Sequence, residues 1–332
     1  MMEPEEDLAD YSKDGDAADL LELKVPTEIG GLRLDQALVK LFPEYSRSRL
    51  QDWVEQGLVT VDGNAASVKQ KVWGGETVQV VPLMHPSEQP CQAEDIPLEI
   101  VYEDDAIIII DKPVGLVVHP GSGNWQGTLL NALLHHAPEL AVVPRAGIVH
   151  RLDKDTSGLM VVARTLVAQT ALVRQMQARS VKREYLALVW GELDRDYTVN
   201  VPIGRHPSQR VKMAVTESGK EAITHVAIEK RFPACTLVRC RLETGRTHQI
   251  RVHMAHLGHP LVGDTVYIKG VQKCAQPILR ELLNGFPRQA LHATRLALTH
   301  PVTGERMEFD SPLPEDMEEL LEQIEEASYE VE

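Results

Sequence analysis

Residues 84–97 contain three prolines and no apolar periodicity, so no helix or strand of a continuous domain can run through them. A chain of 332 residues has room for about two domains of ordinary size. The sequence therefore predicts a linker at 84–97, with one domain at 25–83 before it and a larger domain at 98–318 after it.

The first domain carries the pattern of a small α+β unit. Apolar residues at helical spacing predict one helix that stops at Pro43, and Ser46 is placed to cap a second helix. Short strands are predicted at 59–61 and 78–81.

Residues 31–82 resemble the small RNA-binding domain named after small-subunit ribosomal protein four. The resemblance rests on Leu-Arg-Leu-Asp-Gln-Ala-Leu, Tyr-Ser-Arg-Ser-Arg-Leu and Gly-Gly-Glu-Thr-Val, in that order. Basic side chains provide the sequence-independent part of RNA affinity because they neutralise phosphates. The alternative is that such residues are ordinary solvated surface charges. The candidate phosphate contacts are Arg33, Arg47, Arg49, Lys69 and Lys71.

The net charge of −15 is concentrated at the two ends of the chain. Residues 1–24 hold nine acids and two lysines, and residues 303–332 hold twelve acids and one arginine, so the remainder is mildly basic. Because the local field rather than the total charge steers a polyanion, RNA binding is permitted. We expect an acidic flexible tail at 1–24 and an acidic tail at 319–332.

The composition argues against membrane and metal proteins. The longest apolar runs, such as residues 106–110, are far shorter than the ~20 residues that cross a bilayer, and the acidic N-terminus is unlike a secretory signal. We therefore expect a cytoplasmic protein that does not bind membranes. The four cysteines form no Cys-x-x-Cys pair, and the histidines between 248 and 259 lack a His-Glu-x-x-His pattern, so no metal site is predicted.

Residues 98–318 alternate irregularly between strand-like and helix-like patterns, which indicates a mixed α+β layout and not a regular βαβ repeat. An apolar hairpin is predicted about Asp104 and Asp105, followed by a helix that begins near Thr128. Further strands are predicted at 159–163, 185–190 and 236–242, and further helices at 166–178 and 247–257.

The most informative stretch of this domain is 147–158, where an apolar strand enters a dense polar turn and an apolar strand resumes. Loops held between strands commonly present catalytic groups. If residues 150–153 stay extended, Arg151 and Asp153 share a face, so a cation and a carboxylate can address one ligand. The pattern does not choose between Asp153 and Asp155, and a structural turn with capping aspartates also explains it.

A second polar constellation lies at 243–253. A strand ends there, Gly245 turns the chain and Thr247 can cap the next helix, so Arg246 lies at the strand-to-helix junction. Helix N-termini favour anions, and an arginine adds a forked donor for carboxylate or phosphate. The alternative, that Arg246 closes a structural ion pair, is equally consistent with the sequence.

Three motifs, in order, resemble those of the RluA family of pseudouridine synthases. They are Asp-Lys-Pro-Val-Gly at 111–115, His-Arg-Leu-Asp-Lys-Asp-Thr-Ser-Gly-Leu at 150–159 and Thr-Gly-Arg-Thr-His-Gln-Ile-Arg at 244–251. The resemblance implies an α+β pseudouridine synthase fold with a mixed, mainly antiparallel sheet and a central cleft. It also implies isomerisation of uridine to pseudouridine in RNA by base flipping and aspartate catalysis, with neither a cofactor nor a metal.

The family's functional residues carry over to matching positions of this chain. By resemblance the catalytic aspartate is Asp153, and the active-site tyrosine is Tyr185 in Lys-Arg-Glu-Tyr. The arginine that pairs with the aspartate is Arg246, and Arg151 is the residue that helps to displace the target base. One departure is residues 264–270, where members of the family usually have a tyrosine followed directly by glycine.

The resemblance also implies a ribosomal RNA partner. The expected substrate is large-subunit (23S) ribosomal RNA, within the subunit or its precursor, with specific uridines of the helix 69 stem-loop as targets. Two alternatives stay open. One is a synthase for tRNA or for another ribosomal site, and the other is a ribosome-assembly factor that binds RNA without catalysis. We expect the protein to be a monomer.

Overall fold

The computed structural model describes residues 20–82, 91–121, 123–209, 212–268, 270, 272 and 274–329. The chain divides into two compact units, residues 1–89 and 90–332, and the boundary falls within the predicted linker. Most of the expected N-terminal tail, residues 1–19, and the linker residues 84–90 lie outside the described residues.

The N-terminal unit combines one sheet with two helices. Its elements are β1 (Leu21–Lys24), a 3₁₀ turn (Thr27–Ile29), α1 (Leu34–Leu41), α2 (Arg47–Glu55), β2 (Val59–Val61), β3 (Asn64–Ala65) and β4 (Thr77–Val80). The strands pair antiparallel in the order β1-β4-β2-β3. Both predicted helices are confirmed, and Ser46 caps α2 by accepting the N–H of Arg49 at 3.3 Å. Residues 21–24 differ from the expected tail, because they pair with β4 as a strand.

Asp35 is a charged residue in the interior of the N-terminal unit, with a side chain that is 0% exposed. Its carboxylate accepts hydrogen bonds from Arg33 Nε at 3.0 Å, Arg47 Nη2 at 2.5 Å and Gln51 Nε2 at 3.0 Å. Burial by itself would raise the pKa of Asp35, but the bonds and charges of Arg47 and Arg33 lower it. Two predicted phosphate contacts therefore also hold the unit together.

The larger unit is built on a nine-stranded sheet. Nine of the strands of this unit form that sheet, and two more, β10 and β11, form a separate hairpin. In chain order the strands are β5 (Glu99–Glu103), β6 (Ile107–Lys112), β7 (Ser157–Ala163), β8 (Lys182–Trp190), β9 (Tyr197–Asn200), β10 (Ile203–Arg205), β11 (Met213–Val215), β12 (Ile223–Phe232), β13 (Cys235–Leu242), β14 (Leu291–Thr299) and β15 (Arg306–Asp310). Its helices are α3 (Leu129–His136), α4 (Leu166–Gln177), α5 (Gln249–His256), α6 (Pro277–Gly285) and α7 (Glu315–Tyr329).

The nine strands run in the order β5-β6-β7-β14-β8-β13-β12-β9, with β15 paired to β14, while β10 and β11 form a separate hairpin. Every pairing in the large sheet is antiparallel except that of β7 with β14. The predicted mixed, mainly antiparallel sheet is therefore confirmed. In the described part of the chain, no helix is both long enough and apolar enough to cross a membrane.

The sheet is buried on both faces. In β6, Ile108 and Ile110 pack on the face covered by α3 and α5, whereas Ile107 and Ile109 pack with α4 on the opposite face. This two-sided burial explains why β6 is a continuous apolar run in the sequence. The helices α6 and α7 form a further apolar cluster with the outer parts of β8 and β12.

Residues 315–329 form helix α7, whereas the sequence predicts that the domain ends at 318 and that 319–332 are an acidic tail. Met317, Leu320 and Ile324 recur at helical spacing and are buried in the apolar cluster with α6. The prediction was wrong over 319–329, because it rested on the acidic composition of this segment. The apolar residues at helical spacing indicate a helix with one buried face.

We expect Ile324→Ala to destabilise the larger unit by about 2–5 kcal/mol, because it leaves a cavity under a fully buried side chain. Glu326→Ala, on the exposed face of the same helix, is the matched control and should change stability by less than about 0.5 kcal/mol. Urea unfolding of both variants measures this. Equal stabilities would mean that α7 does not pack on this unit in solution.

Candidate active site

The polar loop at 149–156 connects a 3₁₀ turn (Pro144–Gly147) to β7 and contains the predicted catalytic aspartate. At its start, His150 Nε2 accepts the N–H of Val161 at 3.0 Å, and near its end Thr156 N–H donates to the carbonyl of Asp153 at 3.1 Å. Gly158 follows directly, and a Cβ there would lie 2.3 Å from the carbonyl oxygen of Ala293 in β14. The loop is therefore fixed at both ends, next to the parallel pair of strands.

Asp153 forms an ion pair with Arg251 of α5. Arg251 Nη1 donates to Asp153 Oδ2 at 3.0 Å, while its Nε and Nη2 bind the two oxygens of Asp264 at 2.7 and 2.9 Å. The side chains of Arg251 and Asp264 are 6% and 0% exposed, and that of Asp153 is 17% exposed. The Asp153 side chain thus remains partly accessible while its carboxylate is held by a buried cation.

The charge state of Arg251 is secured by its two partners. Burial by itself lowers the pKa of this guanidinium, but the hydrogen bonds and charges of Asp264 and Asp153 raise it above its usual value. The bidentate contact with Asp264 also fixes the plane of the guanidinium. Arg251 therefore presents a permanent positive charge to Asp153 in a defined direction.

The predicted ion pair between Arg246 and Asp153 is wrong. Arg246 lies before α5, where its Nε donates to the carbonyl of Glu221 at 2.9 Å and its backbone N–H donates to Gln249 Oε1 at 3.0 Å. Arg251 lies inside the helix, on the side that faces the loop before β7. The same motif, at 244–251, contains both arginines, and only the tertiary structure distinguishes them. A catalytic role of Arg246 itself stays a prediction.

Tyr185 lies in β8, on the sheet face that packs against α5, and is 5% exposed. Burial raises the pKa of its phenol, and the charge of Asp153 raises it further, while Arg183 acts in the opposite direction. The hydroxyl therefore stays protonated at neutral pH. The charge of the predicted catalytic aspartate therefore acts on the predicted active-site tyrosine.

His248 and Tyr267 complete the surroundings of Asp153. His248 begins α5 in the left-handed conformation (φ 57°), and its Nε2 lies 3.9 Å from Asp153 Oδ1. Its Nδ1 lies 2.8 Å from the hydroxyl of Tyr267, which also accepts the N–H of Met213 at 3.0 Å. Burial lowers the pKa of His248, with Asp153 opposing that shift, so the neutral imidazole is favoured at pH 7.

The base-displacing candidate Arg151 is exposed beside this group. It makes no ion pair among the residues that the structure describes, although it is two positions from Asp153. Burial lowers the pKa of nearby His119, and the charges of Arg145 and Arg151 lower it further. Exposed arginines and a neutral histidine thus border the loop, which suits an approaching phosphodiester chain.

The N-terminal candidates are placed as follows. Arg33 and Arg47 are bound to Asp35, yet their side chains remain 41% and 54% exposed, so they can still meet a phosphate. Lys69 and Lys71 are exposed, and Lys71 Nζ lies 5.8 Å from the centre of the Trp73 ring. Their contact with RNA stays a prediction.

Sequence reasoning missed four residues around Asp153: Arg251, Asp264, His248 and Tyr267. A signal was present for two of them, because Arg251 ends the third motif and His248 lies within it. Asp264 and Tyr267 lie in the segment 264–270, which was noted only as a departure from the family pattern. That segment supplies the second carboxylate for Arg251 and the partner of His248.

Two family models match the chain: RNA pseudouridylate synthase over residues 106–256 and S4 domain over residues 32–78. Among relatives, the ribosomal large subunit pseudouridine synthase D of Nitrosomonas europaea is 59% identical over 304 residues, covering 92% of this chain and 88% of that protein. The protein of the same name from Xanthomonas campestris pv. campestris is 52% identical over 323 residues, covering 97% of each chain.

A solved structure is also similar. Human RNA pseudouridylate synthase domain containing 1 aligns with a TM-score of 0.51 at 25% identity, covering 70% of this chain and 96% of that one. The sequence expectation of a synthase domain preceded by an RNA-binding domain is therefore confirmed.

We expect the neutral state of His150 to make the larger unit sensitive to acid. Burial, with a contribution from Arg183, lowers the pKa of His150 to about 3 from 6.5. Below pH 6.5 the unfolded chain binds a proton here that the folded chain does not, so stability falls as the pH falls from 6.5 towards 3. Between pH 6.5 and 5 this residue should cost about 1.5 kcal/mol, because the unfolded imidazole is already half protonated at pH 6.5.

His150→Gln keeps an acceptor for the N–H of Val161 and removes the titration. Urea unfolding of both proteins at pH 6.5 and 5 gives the comparison, since the other histidines titrate in both. The variant should lose less stability on acidification. An equal loss in the two proteins would show that His150 is not held neutral by the fold.

Proposed function

The chain belongs to the RNA pseudouridylate synthase family, and from that premise we propose that it isomerises specific uridines of large-subunit (23S) ribosomal RNA with Asp153 as catalyst. The observation that carries the proposal is the environment of Asp153. A partly exposed carboxylate is held by a buried arginine, and its charge acts on a buried, protonated tyrosine.

The reaction explains what the site must provide. The glycosidic bond breaks, the uracil rotates while it is held, and its 5-carbon joins the sugar, so the base must be enclosed away from water. A stacked base cannot enter such a pocket and has to be flipped out of its helix. Because no electron and no group leaves the RNA, the chemistry requires neither a cofactor nor a metal.

Asp153 acts on the flipped nucleotide as nucleophile or base. Arg251 neutralises and orients its carboxylate, and Asp264 keeps Arg251 in place. A carboxylate fixed in this way needs no rearrangement when the substrate arrives, which lowers the entropic part of the barrier. Arg246 stays in the proposed catalytic set, just before α5, but it does not act through a contact with Asp153.

Tyr185 is proposed to stack on the flipped uracil. A neutral phenol with a raised pKa suits stacking and hydrogen bonding, and it is a weak base, so removal of the 5-carbon proton would need help from a neighbouring carboxylate. Arg151 is proposed to enter the space that the base leaves, because its side chain is exposed beside Asp153.

The N-terminal unit is proposed to bind the same RNA through phosphate contacts. Its cations supply sequence-independent affinity, and a tethered second module raises the effective concentration of RNA at the synthase unit. The proposed contacts are Arg33, Arg47, Arg49, Lys69 and Lys71.

The finer target is the helix 69 stem-loop, with a monomeric, cytoplasmic enzyme acting on the large subunit or its precursor. The resemblance of the whole chain to large-subunit synthases supports this choice over a tRNA substrate. The complete group around Asp153 supports an enzyme over an RNA-binding assembly factor, because binding alone would not require a carboxylate paired in this way.

Mapping pseudouridines in ribosomal RNA from cells with and without this protein tests the proposed function. Cells that lack it should lose pseudouridine in large-subunit RNA, and the wild-type gene should restore it. Asp153→Asn should not restore it, and in a tritium-release assay this variant should be slower by at least about 100-fold. Asp155→Asn is the matched control and should be close to wild type. Restoration by Asp153→Asn would reject the catalyst, and loss of tRNA sites alone would reject the substrate.

We also expect Arg251→Met to lower the single-turnover rate far more than Arg246→Met. Removing a buried partner leaves Asp264 uncompensated and costs about 3–5 kcal/mol of stability, whereas Arg246 donates to the backbone carbonyl of Glu221. Single-turnover rates and melting temperatures of both variants, with Arg251→Lys as a charge-conserving control, measure this. A folded Arg251→Met with the wild-type rate would contradict the assigned pairing.

A further inference from the structure

Two backbone carbonyls follow Asp153 directly, and both are bound by buried cations from other parts of the larger unit. The carbonyl of Lys154 accepts Lys112 Nζ at 3.0 Å and the N–H of Gly115 at 2.9 Å. The carbonyl of Asp155 accepts Arg288 Nη1 at 3.1 Å. The catalytic loop is thus held from two sides, at the two positions next to the aspartate.

Lys112 uses its whole hydrogen-bonding capacity in this arrangement. The residue is 1% exposed, and Nζ donates to the carbonyls of Pro113 at 2.7 Å, Leu116 at 2.9 Å and Lys154 at 3.0 Å. An ammonium has three N–H donors, so all are satisfied. Burial lowers the pKa of Lys112 to about 8, while the charges of Asp155 and Asp153 oppose that shift, so the ammonium form persists at neutral pH.

Arg288 is the second cation, and its other contacts lead to the C-terminal helix. The residue is 6% exposed, and its Nε and Nη2 bind the two oxygens of Asp316 at 2.6 and 2.7 Å. The remaining nitrogen, Nη1, donates to the carbonyls of Asp155, Gln289 and Leu291. Asp316 lies in the first turn of α7, so this helix orients the guanidinium that binds the loop.

Helix α7 has a second ion pair with the body of the unit, and that pair does not reach the loop. Lys230 of β12 binds Glu325, about two and a half turns after Asp316 along the helix. The helix is also held by buried Met317, Leu320 and Ile324. Helix α7 therefore has other contacts that attach it to the unit. The bidentate contact of Asp316 with Arg288 is distinct from these, because Arg288 also binds the loop.

We propose that Arg288, oriented by Asp316 of α7, is a positioning residue that fixes the loop carrying Asp153, with Lys112 holding the same loop from the opposite side. The inference rests on the proposed role of Asp153. In this proposal the three residues act through the loop and not through contact with the substrate. Their effect is on the position of the carboxylate, and a displacement of about 1 Å at a reacting group can cost about 100-fold in rate.

The test compares Asp316→Asn with Glu325→Gln, since each variant removes one charge of α7 from one ion pair. Single-turnover rates at saturating ribosomal RNA and dissociation constants are measured well below the melting temperature of each protein. Asp316→Asn should lower the rate by about 10-fold or more and change RNA affinity less than about twofold. Glu325→Gln should change neither quantity by more than about twofold. Asp316→Glu, which keeps the carboxylate, should recover most of the lost rate.

Arg288→Lys provides an independent variant, should Asp316→Asn fail to fold. Lysine keeps a positive charge for Asp316 but lacks the forked nitrogens that bind the helix and the loop together. A rate loss at unchanged RNA affinity supports the proposal. A wild-type rate in folded Asp316→Asn and Arg288→Lys overturns it, and so does a rate loss that Glu325→Gln shares.

Asp153→Asn in the same assay separates this inference from the proposed function. If Asp153→Asn is inactive while folded Asp316→Asn turns over normally, only the positioning role fails. If Asp153→Asn is active, the proposed catalyst fails, and the positioning role fails with it.

Discussion

The guanidinium of Arg251 is buried between two carboxylates, and the arrangement of the synthase unit around the predicted catalytic loop depends on it. Asp264 fixes its plane and Asp153 occupies its remaining nitrogen. The three residues come from a helix, a loop after α5 and the loop before β7. Because an unpaired charge in this interior would be costly, the three segments must meet for the unit to be stable. The same contact gives Asp153 its fixed position.

The strand order of the large sheet determines which strand lies near this loop and carries Tyr185. The parallel contact of β7 with β14 is so close at Gly158 that a Cβ would overlap Ala293. The next strand on the other side of β14 is β8, which presents Tyr185. Because β7, β14 and β8 are neighbours in the sheet, the loop before β7 and Tyr185 in β8 lie in the same region of the sheet although they are far apart in the chain.

The charges of the chain are distributed unevenly. The chain is strongly acidic overall, yet the predicted catalytic loop is surrounded by cations: Lys112 and Arg288 on its backbone, Arg251 on its carboxylate and Arg151 at its surface. Much of the acidic excess lies at the two ends of the chain, and α7 uses part of it to orient Arg288. The net charge alone would have argued against an RNA enzyme, whereas its placement is compatible with one.

The sequence by itself determined the two-domain division, the helices of the first domain, the mixed α+β layout of the second and the polar loop that carries Asp153, because proline, capping residues and apolar periodicity act over a few neighbouring residues. It did not determine which arginine meets Asp153. Arg246 and Arg251 belong to one motif, and the choice depends on which of them a helix turns towards a loop about a hundred residues away. For the same reason the sequence did not show that Arg33 and Arg47 form ion pairs with buried Asp35, or that Asp316 forms one with Arg288. Partners of buried charges are selected by distance in space, and the order of residues along the chain does not record that distance.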